Sequence, residues 1–562
     1  MLAAGLCCSV AWAQVDSSVQ EYQRQQERER ELRRQQESTP DVRLPQPAQN
    51  AASGEIPDNE TPCFRINRIA FKDTDAQRFA WALDTVMHAD PSIIGRCLGV
   101  KGINAVMSRL QNAIVAKGYV TTRVLAEPQD LKSGQLTLTV MPGRVRQIRF
   151  AADADPRGSK WNALPMGEGD LLNLRDIEQG LENFKRVPTA DADIKIEPAD
   201  GADARPGESD LVISYRQAFP FRIAVSVDDS GSDATGKYQG SVTISYDNWW
   251  TLNDLFYASF NHDLGGGNPG AHGTSGYTVH YSVPFGYWLL GLTSSGSDYY
   301  QTVAGINQSY VYRGKSDTNE IKLSRMVYRD AVRKTSVSVK AFLRNSSNYI
   351  DDTEVEVQRR RTGGWELGLT HREFIGEGTL DASLAYKRGT GAFASLPAPE
   401  EGFGEGTSRF SLATADISFN QPFSVQAPWG KQSLRYSLNA RAQWNGSPLT
   451  PQDRFSIGGR YTVRGFDGEM TLLAERGWFV RNELGAAIGG TGQEAFLGLD
   501  YGEVAGPSAQ TLVGRRIAGA VLGLRGSASR FYYEVFAGTP LSKPERLKTA
   551  SLTAGFSLTW SY

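Results

Sequence analysis

Two short stretches hold the residue types from which chemistry is built: Val463-Arg464-Gly465-Phe466, inside the long irregular segment Ser447–Arg476, and Phe496-Leu497-Gly498-Leu499-Asp500. A guanidinium presents a planar fork of donors and a carboxylate presents two acceptor oxygens, so the chemistry on offer is binding. Histidine occurs five times, at His88, His262, His272, His280 and His371, scattered without metal-ligand spacing. Neither a G-x-S-x-G nucleophile turn nor a G-x-x-x-x-G-K-(S/T) phosphate loop is found. The expectation is therefore no catalytic residue, no metal and no cofactor, with the histidines isolated at the surface or in a lumen.

The elements that carry these residues come next. From Pro220 onward the chain is a succession of segments with strict two-residue alternation, beginning FRIAVSVDD, YQGSVTISYDN and DLFYASFNH and ending SRFYYEVFAG and SLTAGFSLTWSY. We read sixteen such strands, with Thr302–Ser316 as a loop. Short turns alternate with long Gly-, Ser- and charge-rich connections. An even strand count, alternating turn lengths, one apolar and one polar face, and aromatic pairs near strand ends (Trp249-Trp250, Tyr299-Tyr300, Tyr532-Tyr533) define a transmembrane β-barrel of sixteen antiparallel strands over 219–562. A soluble β-sandwich accounts poorly for so many strands. In this frame Phe496, Gly498 and Asp500 share one face and Leu497, Leu499 and Tyr501 the other. With the leucines toward lipid, Asp500 points into the lumen. No apolar run is long enough for a membrane helix.

Upstream, residues 1–13 (MLAAGLCCSVAWA) have the apolar stretch and small-residue end of an export signal, without a basic start. Export leaves Cys63 and Cys97, which most simply form one disulfide, two buried free thiols being the other reading. Residues 14–38 are helix-prone and polar all round, with Val19, Tyr22 and Leu32 too few for a stripe. About 22 helical residues span roughly 33 Å, close to the height of a membrane barrel. A polar rod of that length suits a water-filled pore, and we expect it to act as a plug. Residues 39–60 read as a proline-rich linker. Two small α+β units follow, over 61–142 and 143–218, each opening with a strand and closing with two. In the first, FRINRIAF, YVTTRVLA and GQLTLTVMP are the strands; in the second, VRQIRF, ADIKIEP and SDLVISYRQ. Sixty basic residues against 62 acidic ones, with no long block of either sign, exclude nucleic acid as the main partner.

Here a resemblance becomes specific. A VRG(F/Y) tetrad in a sixth long loop, followed by an F-x-G-x-D element in a later strand, resembles the outer-membrane superfamily of barrel assembly insertases and two-partner secretion transporters. With a leading polar helix, a linker and two modules, the chain resembles the two-partner secretion transporters over nearly its whole length. CLGVKGI and KGYVTTRV in the first module are similar to the branch that exports haemolysins and contact-dependent inhibition toxins. The resemblance implies POTRA-like periplasmic domains, a type V secretion system, and a lock in which Arg464 pairs with Asp500. Val463, Gly465, Phe466, Phe496 and Gly498 complete that motif. A long loop folded into a wet pore is expected to have no core of its own, so an Arg–carboxylate pair would fix it to the wall. The terminal strand, with Phe556, Trp560 and Tyr562 on its apolar side, resembles the insertion signal of outer-membrane proteins.

The implied function is secretion of a large TpsA-type exoprotein across the bacterial outer membrane. The periplasmic domains would capture this cargo in extended form along YVTTRVLA and ADIKIEP. Implied partners are that exoprotein, outer-membrane lipid and, during biogenesis, the barrel assembly machinery; the protein is expected to be a monomer. The alternative is an assembly insertase of the same superfamily, which typically carries more periplasmic modules.

Overall fold

The computed structural model describes residues 2–38, 40–45, 56–57, 60–72 and 75–562, with side chains at all of these but 2–17 and 75–76. The expected linker 39–60 therefore falls largely outside the described residues.

The carboxy-terminal part is a closed antiparallel barrel in which every strand pairs with its sequence neighbour. Its strands are β1 (Phe221–Asp228), β2 (Gln239–Asp247), β3 (Leu255–Asp263), β4 (His272–Phe285), β5 (Trp288–Ala304), β6 (Ser309–Arg329), β7 (Arg333–Ile350) and β8 (Arg360–Ile375). They continue as β9 (Gly378–Thr390), β10 (Ser411–Ala427), β11 (Gly430–Asn445), β12 (Arg476–Ala487), β13 (Gln493–Ala505), β14 (Arg516–Ala528), β15 (Phe531–Ser542) and β16 (Thr553–Ser561). Closure comes from β16 on β1, with Leu558 opposite Val227 and Trp560 opposite Val225. Tyr562 adds reciprocal main-chain hydrogen bonds to Ile223 at 2.9 and 3.2 Å. In a membrane this ring leaves no sheet edge to lipid, where each unsatisfied main-chain group would cost several kcal/mol.

Alternation sorts the side chains. Ile321, Leu323, Val337, Val339, Leu497, Leu499 and Leu522 are exposed on the outer face, while Glu320, Lys322, Ser338 and Lys340 line the lumen. Phe556, Leu558 and Trp560 lie on the outer face too, across from Val535, Tyr533 and Phe531, and the Trp560 and Tyr562 rings stack at 6.4 Å.

One sequence expectation fails. Thr302–Ser316 is not a loop: β5 runs to Ala304 and β6 begins at Ser309, so only a tight turn remains. This hairpin rises past the apolar belt, and its outward face carries Asp298 and Arg313, paired through Nε at 2.9 Å. With both faces polar the alternation disappears.

Helix α1 (Leu2–Gln36) runs continuously through the expected leader and plug residues. From Ser18, where its side chains are described, it stands inside the barrel. The first small domain has a three-stranded sheet, ordered Arg68–Phe71, Gln135–Met141, Arg123–Leu125, covered by α2 (Ala80–Ala89) and α3 (Val100–Ala116). FRINRIAF, expected as one strand, is broken at Ile66-Asn67. Its first piece, Phe64–Arg65, pairs instead with Cys97–Leu98, and the adjacent Cys63–Cys97 disulfide closes this junction. Of YVTTRVLA only Arg123–Leu125 is strand, because Val120 to Thr122 turn back along the end of α3. The second domain repeats the plan with strands Arg144–Phe150, Glu208–Gln217 and Ala190–Pro198 and helix α4 (Leu174–Phe184). Arg123–Leu125 and Ala190–Pro198 are both edge strands.

The second domain seats on the near rim of the barrel. Leu255 and Tyr257 of β3 join its apolar core. Asn183 donates to the Gly286 carbonyl at 2.8 Å, Arg186 to the Ser282 carbonyl at 3.0 Å, and Tyr287 to Asp176 at 2.5 Å.

Candidate functional site

Strand order makes the connection 446–475 the sixth of eight at the end of the barrel far from the small domains. It does not stay outside. A short hairpin, Phe455–Ile457 with Leu472–Ala474, leads it in, and the tip at Arg464 reaches the inner wall formed by β12 to β14. Contrary to the expectation of a coreless loop, Ile457, Val463, Phe466 and Leu472 are buried with Phe479, Val504 and Ile517 of the wall. The loop thus brings an apolar plate, and its tip adds a charged contact below.

That contact is bidentate. Arg464 Nε lies 2.7 Å from Asp500 Oδ2 and Nη2 lies 2.9 Å from Oδ1, while the Arg464 main-chain N–H donates to Oδ2 at 3.0 Å. The third guanidinium nitrogen, Nη1, donates to Glu483 at 2.6 Å. Asp500 and Arg464 are almost fully buried. Glu483 stands two residues along β12 from Arg481, which is registered opposite Asp500.

Glycines make the approach possible. A Cβ on Gly498 would sit 2.5 Å from Arg464 Nη2, and one on Gly519 only 1.9 Å from the Arg464 carbonyl oxygen. Gly465 itself has φ +94° and faces the Thr539 carbonyl, where a side chain would meet it at 2.5 Å. The motif glycines are therefore sites of close main-chain contact. Phe496 is buried under the Arg525 guanidinium, whose carbon is 4.6 Å from the ring centre.

Residues that the sequence reading missed extend the site. Arg525 bonds both Glu483 and Glu494, and Arg435 bonds Glu494 at 2.5 and 3.0 Å. Arg435, Glu494, Arg525, Glu483, Arg464 and Asp500 thus form one alternating ladder of charge along the inner wall. Inward-facing charges on neighbouring polar strand faces were the available signal; only a register between strands could have joined them.

The lumen holds α1. On one side of it runs a row of small hydroxyls from Thr243, Ser259, Thr278, Ser295 and Thr318, directly paired across strands β2 to β6. The helix touches this wall through polar groups: Arg33 to Glu320 at 2.9 Å, Glu27 to Arg441 at 3.0 Å, Gln25 to Thr274 at 2.8 Å and Arg24 to the Gly468 carbonyl at 2.6 Å. Tyr22 accepts from Arg344, which also forks onto Asp453 at the base of the sixth loop. Apart from Val19, Tyr22 and the half-buried Leu32, the described plug buries no large apolar side chain. Each net hydrogen bond contributes about 1 kcal/mol and can be exchanged for water. The arrangement closes a wet pore without welding it.

Of the histidines, His280 is buried at the near mouth, stacked on Tyr257 at 5.1 Å and bonded to Thr293 and Ser282. Among the described residues no group of three or more His, Cys, Asp or Glu is placed to hold a metal ion.

Comparison with known proteins agrees with this architecture. A family model described as haemolysin secretion/activation protein ShlB/FhaC/HecB matches residues 207–526. A ShlB-type POTRA domain matches 64–143 and a further POTRA domain matches 144–198. Outer membrane transporter CdiB-2 of Burkholderia pseudomallei (strain 1026b) is 38% identical over 559 residues, covering 96% of this chain and 93% of that one. The structure of CdiB from Acinetobacter baumannii superposes with a TM-score of 0.84 at 30% identity, over 97% of this chain and 98% of its own. CdiB from Escherichia coli gives 0.81 at 26% identity, over 98% and 99%. With its POTRA domains in the periplasm and its barrel in the outer membrane, the chain belongs to the haemolysin secretion/activation protein family ShlB/FhaC/HecB, the outer-membrane transporters of two-partner secretion.

Proposed function

We propose that this transporter exports a large exoprotein of the contact-dependent inhibition or haemolysin type, threading it in extended form through the barrel lumen. The observation that carries this reading is what fills the lumen: a helix held almost wholly by hydrogen bonds and ion pairs. The plug leaves as a unit, giving up only the buried Val19 and Tyr22 and the contact of Leu32 with the second domain's core. Arg464 and Asp500 then act as a latch that holds the sixth loop against the wall, with Val463, Phe466, Phe496, Gly465 and Gly498 shaping its seat. Edge strands Arg123–Leu125 and Ala190–Pro198 offer unpaired main-chain groups to an extended cargo, which gives affinity without demanding one sequence. No phosphate loop occurs in the chain, so folding of the cargo outside supplies the drive. The terminal row with Phe556, Trp560 and Tyr562 serves as the signal read by the barrel assembly machinery, and the transporter works as a monomer.

The test pairs the chain with an exoprotein encoded beside it and measures that exoprotein in the medium. Arg464→Ala is expected to abolish export while the barrel still shows the gel mobility shift on boiling that marks a folded barrel. Export at the normal level by that variant would remove the latch.

A further inference from the structure

Between the plug and the first POTRA domain the chain must leave the barrel, and residues 40–45 do so through a slot between α4 and the near ends of β6 to β8. The segment belongs to no helix or sheet and is held by its main chain. The Val42 N–H donates to Glu182 Oε1 at 2.9 Å and the Leu44 N–H donates to Glu178 Oε1 at 2.9 Å. The Val42 carbonyl accepts from Arg329 Nη2 at 2.8 Å. Glu178 and Glu182 sit one helical turn apart, which matches the spacing of alternate N–H groups on one edge of an extended strand. Val42 and Leu44 pack against the apolar core of the second domain. Asp41, just before Val42, faces the rim, where Lys334 and Arg372 each bond it at 2.6 Å.

The slot is built independently of its occupant. Glu178 and Glu182 are buried, and Arg329, itself almost wholly buried, bridges them at 3.2 and 2.8 Å. Arg175 adds a donor to Glu178 Oε1 at 2.6 Å, and Glu182 Oε1 also accepts from Arg329 Nη2 at 3.0 Å and from Lys334, so cations hold both carboxylates in place and each still turns an oxygen toward the segment. If the segment left, Arg175, Arg329 and Lys334 would still hold both carboxylates, and the slot would keep its shape. Another extended chain entering it regains the two N–H contacts.

We propose that this slot is a binding site for extended polypeptide, read through alternate main-chain N–H groups with apolar side chains at the same positions, and that residues 40–45 are its resident occupant. On the export reading above, the incoming exoprotein takes the slot at the mouth of the pore, and its arrival releases the segment that tethers the plug. Three main-chain contacts and two apolar positions set the requirement, so many cargo stretches qualify and none is demanded.

The experiment uses the full-length transporter in detergent and a fluorescent peptide of the sequence PDVRLP, residues 40–45, as probe. In the wild type the tethered segment competes at high local concentration. In the variant Val42→Pro/Leu44→Pro the segment loses both N–H donors. The peptide is expected to bind that variant at least tenfold more tightly than the wild type. A peptide N-methylated at the Val and Leu amides should fail to bind. Adding Glu178→Gln/Glu182→Gln to the proline variant should weaken binding at least tenfold, as a neutral acceptor is poorer than a carboxylate. Equal binding by wild type and proline variant, or equal binding of the N-methylated peptide, overturns the slot. Because this readout needs no export, loss of peptide binding with export intact removes the slot alone. Peptide binding as expected in a chain that exports nothing supports the slot and counts against the export reading.

Discussion

Replacing Asp500 with asparagine keeps the side chain's shape and removes its charge, which isolates the latch from its packing. In the native chain Asp500 accepts three donors from Arg464, one of them the main-chain N–H at 3.0 Å. The amide accepts through one oxygen only and turns two N–H groups toward a guanidinium. Breaking a buried pair by removing one partner costs about 3–5 kcal/mol. Glu483 still neutralises Arg464 at 2.6 Å, which places the cost near the lower end, about 3 kcal/mol. Spread over the docking equilibrium of the sixth loop, this raises the undocked population roughly a hundredfold. Amide hydrogen exchange reads it directly: the Arg464 N–H and its neighbours from Val463 to Phe466 are expected to exchange roughly a hundredfold faster in Asp500→Asn. The wall strands β12 to β14 should keep their protection. Unchanged protection at Arg464 would show that the apolar plate of Ile457, Val463, Phe466 and Leu472 alone seats the loop, and the latch would be refuted.

Three further outcomes are expected. Gly519→Ala puts a methyl group 1.9 Å from the Arg464 carbonyl, a main-chain atom that cannot rotate away, so it should unseat the loop at least as far as Asp500→Asn in the same exchange assay. Serine at both Cys63 and Cys97 removes a cross-link spanning 34 residues, worth about 4 kcal/mol by loop closure, and should lower the thermal midpoint of the POTRA transition while leaving the barrel transition in place. Glu60 caps the start of α3, where partial burial pushes its pKa up but N–H donors from Gly102, Lys101 and Gly99 outweigh it and hold the carboxyl below its usual value of 4.5. Its contribution is complete above that value and is lost as the pH falls through the lower folded value. Glu60→Gln should therefore speed exchange at Gly99 to Gly102 at pH 7, and the gap from the wild type should narrow in acid.

Much of the fold was legible because lipid and water impose period-two alternation on every strand that crosses the membrane. Leu497 and Leu499 on one face and Phe496, Gly498 and Asp500 on the other are enough to orient β13. The rule fails where lipid ends: the hairpin of β5 and β6 continues past the apolar belt, and Asp298 and Arg313 erase the pattern. The VRGF and F-x-G-x-D elements pointed to Arg464 and Asp500, which the structure brings into contact, yet the apolar plate beside them was missed, since Ile457 and Leu472 lie far apart in sequence and meet only through the short hairpin. The slot at residues 40–45 was hidden by its prolines, which read as a linker. Nothing in the sequence of their helix marks Glu178 and Glu182 as buried. Their burial depends on the barrel rim and Arg329, which lie far away in the chain.

The central claim is that the pore is a polypeptide passage closed at rest by a polar helix. Single-channel conductance in planar bilayers, comparing the intact chain with one lacking Asp16–Ser38, tests it most directly. Small, unstable currents from the intact protein and large, steady ones from the deleted protein are predicted; equal conductance from the two would contradict the claim.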